Sequence, residues 1–179
     1  MNEDEKMCRR RPLLIVIALL CLCGWTAAQQ HPNPETLRYM QEASAFYLNE
    51  DYKHAITGYQ KALDLEKKQR MLNETLWRVL VDNLGMSYGL TGDLKKAKET
   101  FEYGLSKDPK YPMFHYNMAC TYAEMGDMDK TISYLSQVFE YKANVIKGEK
   151  MPDPWKDSSF QRFINNSKFV KALKELDPK

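Results

Sequence analysis

The chain has 179 residues, 44% hydrophobic and 28% charged, with 26 basic against 24 acidic side chains and a mean hydropathy of −0.59. That is material for about one globular domain with a core of its own, and the near balance of charge leaves no excess to hold a polyanion, which sets nucleic acid aside as a partner. Cys8, Cys21, Cys23, Cys120, His31, His54 and His115 show neither a CxxC pair nor an HxxxH spacing, so no metal site and no cofactor are expected.

The first element is an address. Lys6, Arg9, Arg10 and Arg11 precede an unbroken apolar run from Leu13 to Cys23, followed by Gly24, Trp25, Thr26, Ala27 and Ala28. This is the charged, apolar, small-residue order of a secretory signal, with cleavage expected after Ala28. The uncharged stretch Pro12 to Ala28 is shorter than the roughly 20 residues of a membrane-crossing helix, and Gln29, Gln30 and His31 follow at once. Residues 1–28 therefore read as a signal peptide, with an uncleaved membrane anchor over residues 13–28 as the alternative. The expected location is exported, periplasmic or secreted. The mature chain, Gln29 to Lys179, would have 151 residues, a net charge of +1 and the single thiol of Cys120, so packing rather than a disulfide must hold it.

After a short leader at 29–34, Asn33 and Pro34 read as a cap and a first-turn proline that open a helical array. The array repeats. Leu84-Gly85, Tyr88, Gly92-Asp93 and Phe101 recur as Met118-Ala119, Tyr122, Gly126-Asp127 and Leu135, each 34 residues on. A third copy lies upstream in Ala43, Phe46, Asp51, Tyr52, Ala55, Tyr59, Ala62 and Leu63, but at an offset of 42, so about eight residues are inserted near Lys67 to Glu74. Each unit predicts two helices with apolar positions at i, i+3, i+4 and i+7 around a tight turn. Gly92 and Gly126 can end the first helix in the left-handed conformation, and Asp93 and Asp127 can cap the second. Ala55, Ala62 and Ala97 suit close helix crossings, and Pro109 stops the second unit. The insertion, with Lys67, Lys68, Gln69 and Arg70, is expected to lengthen the facing helices by about a turn each. A basic binding loop is the alternative.

Leu84-Gly85, Tyr88, Gly92-Asp93, Ala97, Phe101, Leu105 and Pro109 together resemble the tetratricopeptide repeat, departing at Val81, where that family prefers Trp, and at Gly104, where it prefers Ala. The resemblance covers residues 35–143, as units of about 36–69, 78–111 and 112–143. It implies an all-α fold, a right-handed α-solenoid of three repeats. Beyond Lys142 the period lapses. A loop with Pro152 and Pro154 leads to two short amphipathic helices carrying Phe160, Phe163, Phe169 and Leu173, so residues 144–179 read as a loop and a helical cap whose aromatics pack on the third repeat.

The resemblance further implies that the first helices line a concave groove for an extended peptide or a partner's helix. The inward slots are Met40, Ser44 and Tyr47 in the first repeat, Asp82, Asn83 and Met86 in the second, and Met113, Tyr116, Asn117 and Cys120 in the third. Asn83 and Asn117 occupy equivalent slots, where an amide can pair with a bound backbone or, alternatively, bridge neighbouring helices. No catalytic motif is present: the acidic turns lack the spacing of a calcium loop, and neither His54 nor His115 has a serine or cysteine at a triad-like spacing. Two functions remain open, an exported scaffold that binds a protein or peptide without catalysis, and a structural subunit of a larger cell-envelope assembly. Asn73-Glu74-Thr75 and Asn165-Asn166-Ser167 also fit glycosylation sequons.

Overall fold

The computed structural model describes residues 31–176, and the expected signal peptide and its cleavage site at Ala28 lie outside them. The described residues form α1 (Pro34–Leu48), α2 (Tyr52–Lys68), α3 (Glu74–Leu90), α4 (Leu94–Lys107), α5 (Pro112–Glu124), α6 (Met128–Glu140) and α7 (Ser167–Leu176), with short 3-10 helices at Lys142–Asn144 and Ser158–Phe163. The helices pair as α1 with α2, α3 with α4 and α5 with α6, and the pairs stack through α2 on α3 and α4 on α5. The result is an all-α solenoid of three helix-turn-helix units.

Local chemistry sets the helix ends. The Asn33 side chain accepts from the Glu35 N–H at 2.9 Å, with Pro34 as the first helical residue. Asp51, Asp93 and Asp127 accept from the N–H groups of His54, Lys96 and Lys130 at 3.0–3.3 Å, so all three second helices start on the same aspartate cap. Before two of these caps the chain turns through Gly92 (φ +83°) and Gly126 (φ +80°). In the first unit Glu50 takes that left-handed place at φ +61°, where a Cβ is penalised.

Packing follows the small and large slots of the repeat. Ala43, Ala55, Ala62 and Ala97 are fully buried where helices cross, beside the buried rings of Tyr59 and Phe101. At Gly85 an added Cβ would run into the Phe101 ring, and at Gly104 it would meet the Phe114 ring at 2.9 Å. Glycine at 104, where the repeat family prefers alanine, thus makes room for an additional phenylalanine. The insertion behaves as expected: α2 and α3 have 17 residues each, against 14 in α4 and 13 in α5 and α6, and a short loop over 69–73 joins them.

The C-terminal region completes the core with one departure. The first of the two expected short helices is a 3-10 segment, Ser158–Phe163, laid on α5, while α7 packs on α6. Phe160, Phe169 and Leu173 are buried there, and the Arg162 guanidinium donates to the carbonyls of Ala123 and Glu124 at 2.9 and 3.0 Å, closing the end of α5. No helix among the described residues is long and apolar enough to cross a membrane.

Candidate functional site

The first helices of the three units adjoin one another, α1 beside α3 and α3 beside α5, and they carry all ten residues expected in the groove. The structure gathers these side chains but buries most of them. Met40, Tyr47, Asn83, Met86, Met113, Tyr116, Asn117 and Cys120 are each 5% exposed or less, and only Ser44 and Asp82 keep partial access.

The polar members form two linkages between helices. The Asn83 amide donates to the Tyr59 hydroxyl at 3.2 Å, and Tyr59 in turn lies 2.9 Å from the Ser44 hydroxyl, which donates to the Met40 carbonyl at 2.8 Å. Because Tyr59 accepts from Asn83 and Ser44 donates onward, the phenol proton points to Ser44, and α3, α2 and α1 are tied in one directed chain. Burial pushes the Tyr59 phenol up to about 12, so it stays a donor across the physiological range. In the next unit the Asn117 amide donates to the Asp82 carboxylate, tying α5 to α3. Both amides bridge helices, each reaching a residue of the preceding unit.

Apolar and aromatic members pair as well. The Tyr47 hydroxyl approaches the Met86 sulfur at 3.9 Å. Tyr116 donates to Asp157 at 2.7 Å and meets the Phe160 ring edge-on at 5.8 Å, so the third unit's share of the face lies beneath the protein's own C-terminal segment. The Cys120 thiol is enclosed within α5's buried side, with no exposure.

Several functional-looking groups have structural duties. His54 pairs with Asp51 at 2.6 Å and stacks on Phe46, and this hydrogen bond holds the Asp51 carboxyl below the usual range. Asp153 and Asp157 accept from the N–H groups of Trp155 and Ser159. No cluster of three His, Cys, Asp or Glu side chains that could hold a metal occurs among the described residues. Asn73 caps α3 through the Leu76 N–H at 2.9 Å, and Asn165 is exposed ahead of α7.

Sequence reasoning passed over Trp77, which sits one turn before the Val81 slot on the same helix face and packs edge-on against Tyr103 and Phe114. It also passed over Glu66, a carboxylate only 3% exposed. The signal was present, since Glu66 continues the buried stripe of Tyr59, Ala62 and Leu63 at helical spacing.

Comparison with known proteins places this geometry in a class. The family profile described as tetratricopeptide repeat matches residues 81–111 and 114–145. A solved structure, the Sgt2 tetratricopeptide domain from Aspergillus fumigatus, superposes with a TM-score of 0.58 at 19% identity, covering 86% of this chain and 90% of that one. Tetratricopeptide repeats are thus found over residues 81–111 and 114–145, and the described residues as a whole share the helical solenoid fold of a tetratricopeptide domain.

More particular similarity is to curated cyanobacterial proteins named Photosystem I assembly protein Ycf3. That of Prochlorococcus marinus (strain MIT 9211) is 33% identical over 88 residues, 49% of this chain and 48% of the relative. The protein of that name from Synechococcus sp. (strain CC9311) is 28% identical over 92 residues, 51% of this chain and 50% of the relative. The chain spans about half the length of the curated relatives it matches.

Proposed function

We propose that this protein is an exported, non-catalytic scaffold that holds a protein or peptide segment along the face where α1, α3 and α5 adjoin. The observation that carries the reading is the stacking of three helix-turn-helix units with their first helices side by side, which leaves a partner the stretch over α1 and α3 while the C-terminal segment covers Tyr116 on α5. The name carried by the curated relatives describes an assembly protein, which supports a role in holding a protein while a larger complex is built. Export rests on the order of charge, apolar run and small residues over 1–28. The partner's chemistry on this face is mixed, because Asp82 and Ser44 keep partial access among methionine and tyrosine neighbours.

Photocrosslinking tests the face. A photoreactive residue introduced at Leu48, the exposed end of α1, or at Asp82 on α3 should yield a discrete protein adduct in the native host. The same probe at Lys98 on α4 should not. Identical adducts from all three positions would remove the inner face from the proposal. N-terminal sequencing of the protein recovered from its host tests export, with Gln29 as the expected first residue; an intact Met1 in a soluble intracellular fraction would overturn it.

A further inference from the structure

The insertion that breaks the repeat period also builds a cavity. The last turn of α2, the loop over 69–73, the start of α3 and the end of α4 border a solvent-open pocket of about 310 Å³, lined by Trp77 and Leu72 together with five charged side chains. That volume sits at the small end of ligand-binding cavities and suits one or two side chains.

The charged groups are not equivalent. Every carboxylate in the wall is already engaged. Both Glu66 oxygens accept from the backbone N–H groups of Met71 and Leu72 at 3.1–3.3 Å, so this buried carboxylate holds the inserted loop in place. Glu74 and Asp108 share Arg78, whose Nε lies 2.6 Å from the Asp108 carboxylate and whose guanidinium also covers the Tyr111 ring at 4.5 Å. The cations facing them, Arg70 and Lys107, are exposed and form no ion pair with any described residue. An apolar wall beside two uncommitted cations suits a ligand with an anionic tip on an apolar body. The nearby Glu66 and Glu74 disfavour a dianion such as phosphate and leave a single carboxylate as the better match.

We propose that this cavity docks an acidic segment of a partner protein, setting one carboxylate between Arg70 and Lys107 and a neighbouring apolar side chain against Trp77 and Leu72. The site is separate from the face where the first helices adjoin and does not depend on it.

The test is fluorescence anisotropy with a labelled octapeptide alternating leucine and glutamate, acetylated and amidated at its ends, against the full chain. Saturable binding is expected, weakening with salt and falling at least tenfold in the R70E/K107E double variant. Because both side chains are exposed, the variant should keep its helical circular dichroism, and R70Q/K107Q provides a milder second variant with an intermediate loss. A change at Asp82 on the inner face should leave binding intact, which separates failure of this site from failure of that face. The proposal is overturned by an absence of saturable binding, by unchanged affinity in R70E/K107E, or by equal affinity for the peptide in which lysine replaces glutamate.

Discussion

His115 shows how much a single ring can depend on its surroundings. It is 3% exposed, between the rings of Tyr134 and Tyr141, with Nε2 2.7 Å from the Pro109 carbonyl. A carbonyl only accepts, so Nε2 carries the proton and Nδ1 is left buried without a partner. Burial therefore pushes the imidazolium down, against weaker opposing effects of the Pro109 hydrogen bond, Glu140 and Asp108. The sign follows from the depressed value: the unfolded chain takes up the proton more readily, so stability is full above the ordinary histidine range, near pH 6.5, and declines as pH falls through it. Urea unfolding followed between about pH 8 and about pH 5 should show this slope, and H115F should flatten it. Tyr59 tests a different dependence. In Y59F the Asn83 amide loses its acceptor inside the core, and denaturant titration should report a loss of about 1–3 kcal/mol. Equal stability of Y59F and the parent would show that the linkage between α1, α2 and α3 carries no weight.

At the level of the helix and turn, the three units make a natural comparison because two turns have glycine and one does not. Replacing Glu50 by glycine removes a left-handed strain of about 1–2 kcal/mol while adding about 0.5–1 kcal/mol of backbone freedom to the unfolded chain. E50G should therefore raise the denaturation midpoint, whereas G92A or G126A should lower it. Gly85 makes the opposite kind of demand, for space rather than conformation. A Cβ there strikes the fully buried Phe101 ring, so G85A should lose about 1–3 kcal/mol, and G85A/F101L should recover part of it. These features were legible in sequence because each is local: Gly92 before Asp93, Asn33 before Pro34, small residues at fixed offsets from large ones. The length of α2 and α3 was legible for the same reason, since eight extra residues in a strict period must go somewhere. What covers a side chain was not legible. Tyr116 and Asn117 carry the right spacing for an inner face, but their burial depends on Asp157 and Phe160, some forty residues away, and on Asp82 in the preceding unit. A basic binding loop with Arg70 was open as an alternative from sequence, but the cavity itself was not legible, because Lys107 and Asp108 at the end of α4 close it from a separate stretch of chain.

For the molecule as a whole, the Ser158–Phe163 segment and α7 decide where the array ends. Deleting residues 151–179 would uncover Tyr116 and the outer side of α6, release the α5 carbonyls held by Arg162, and leave Val138 and Leu135 with fewer neighbours. Such a truncated chain should unfold at lower temperature and elute from size-exclusion as concentration-dependent oligomers, whereas the full chain should keep a constant elution volume. Unchanged elution of the truncated form would mean that the stack closes without its last segment.

That closure has a meaning in polymer terms. A stack of like units is a heterologous assembly: the trailing face of one molecule is shaped to receive the leading face of the next, and nothing in the geometry of a single step tells growth to stop. Here the leading α1–α2 pair and the trailing α5–α6 pair belong to the same series, so a bare trailing end would accept another copy's first unit as readily as its own continuation. Phe160 and Arg162 act as a chain terminator. They occupy the side of the third unit on which a further unit would stack, so the full chain is expected to stay unassociated under conditions where the truncated one grows.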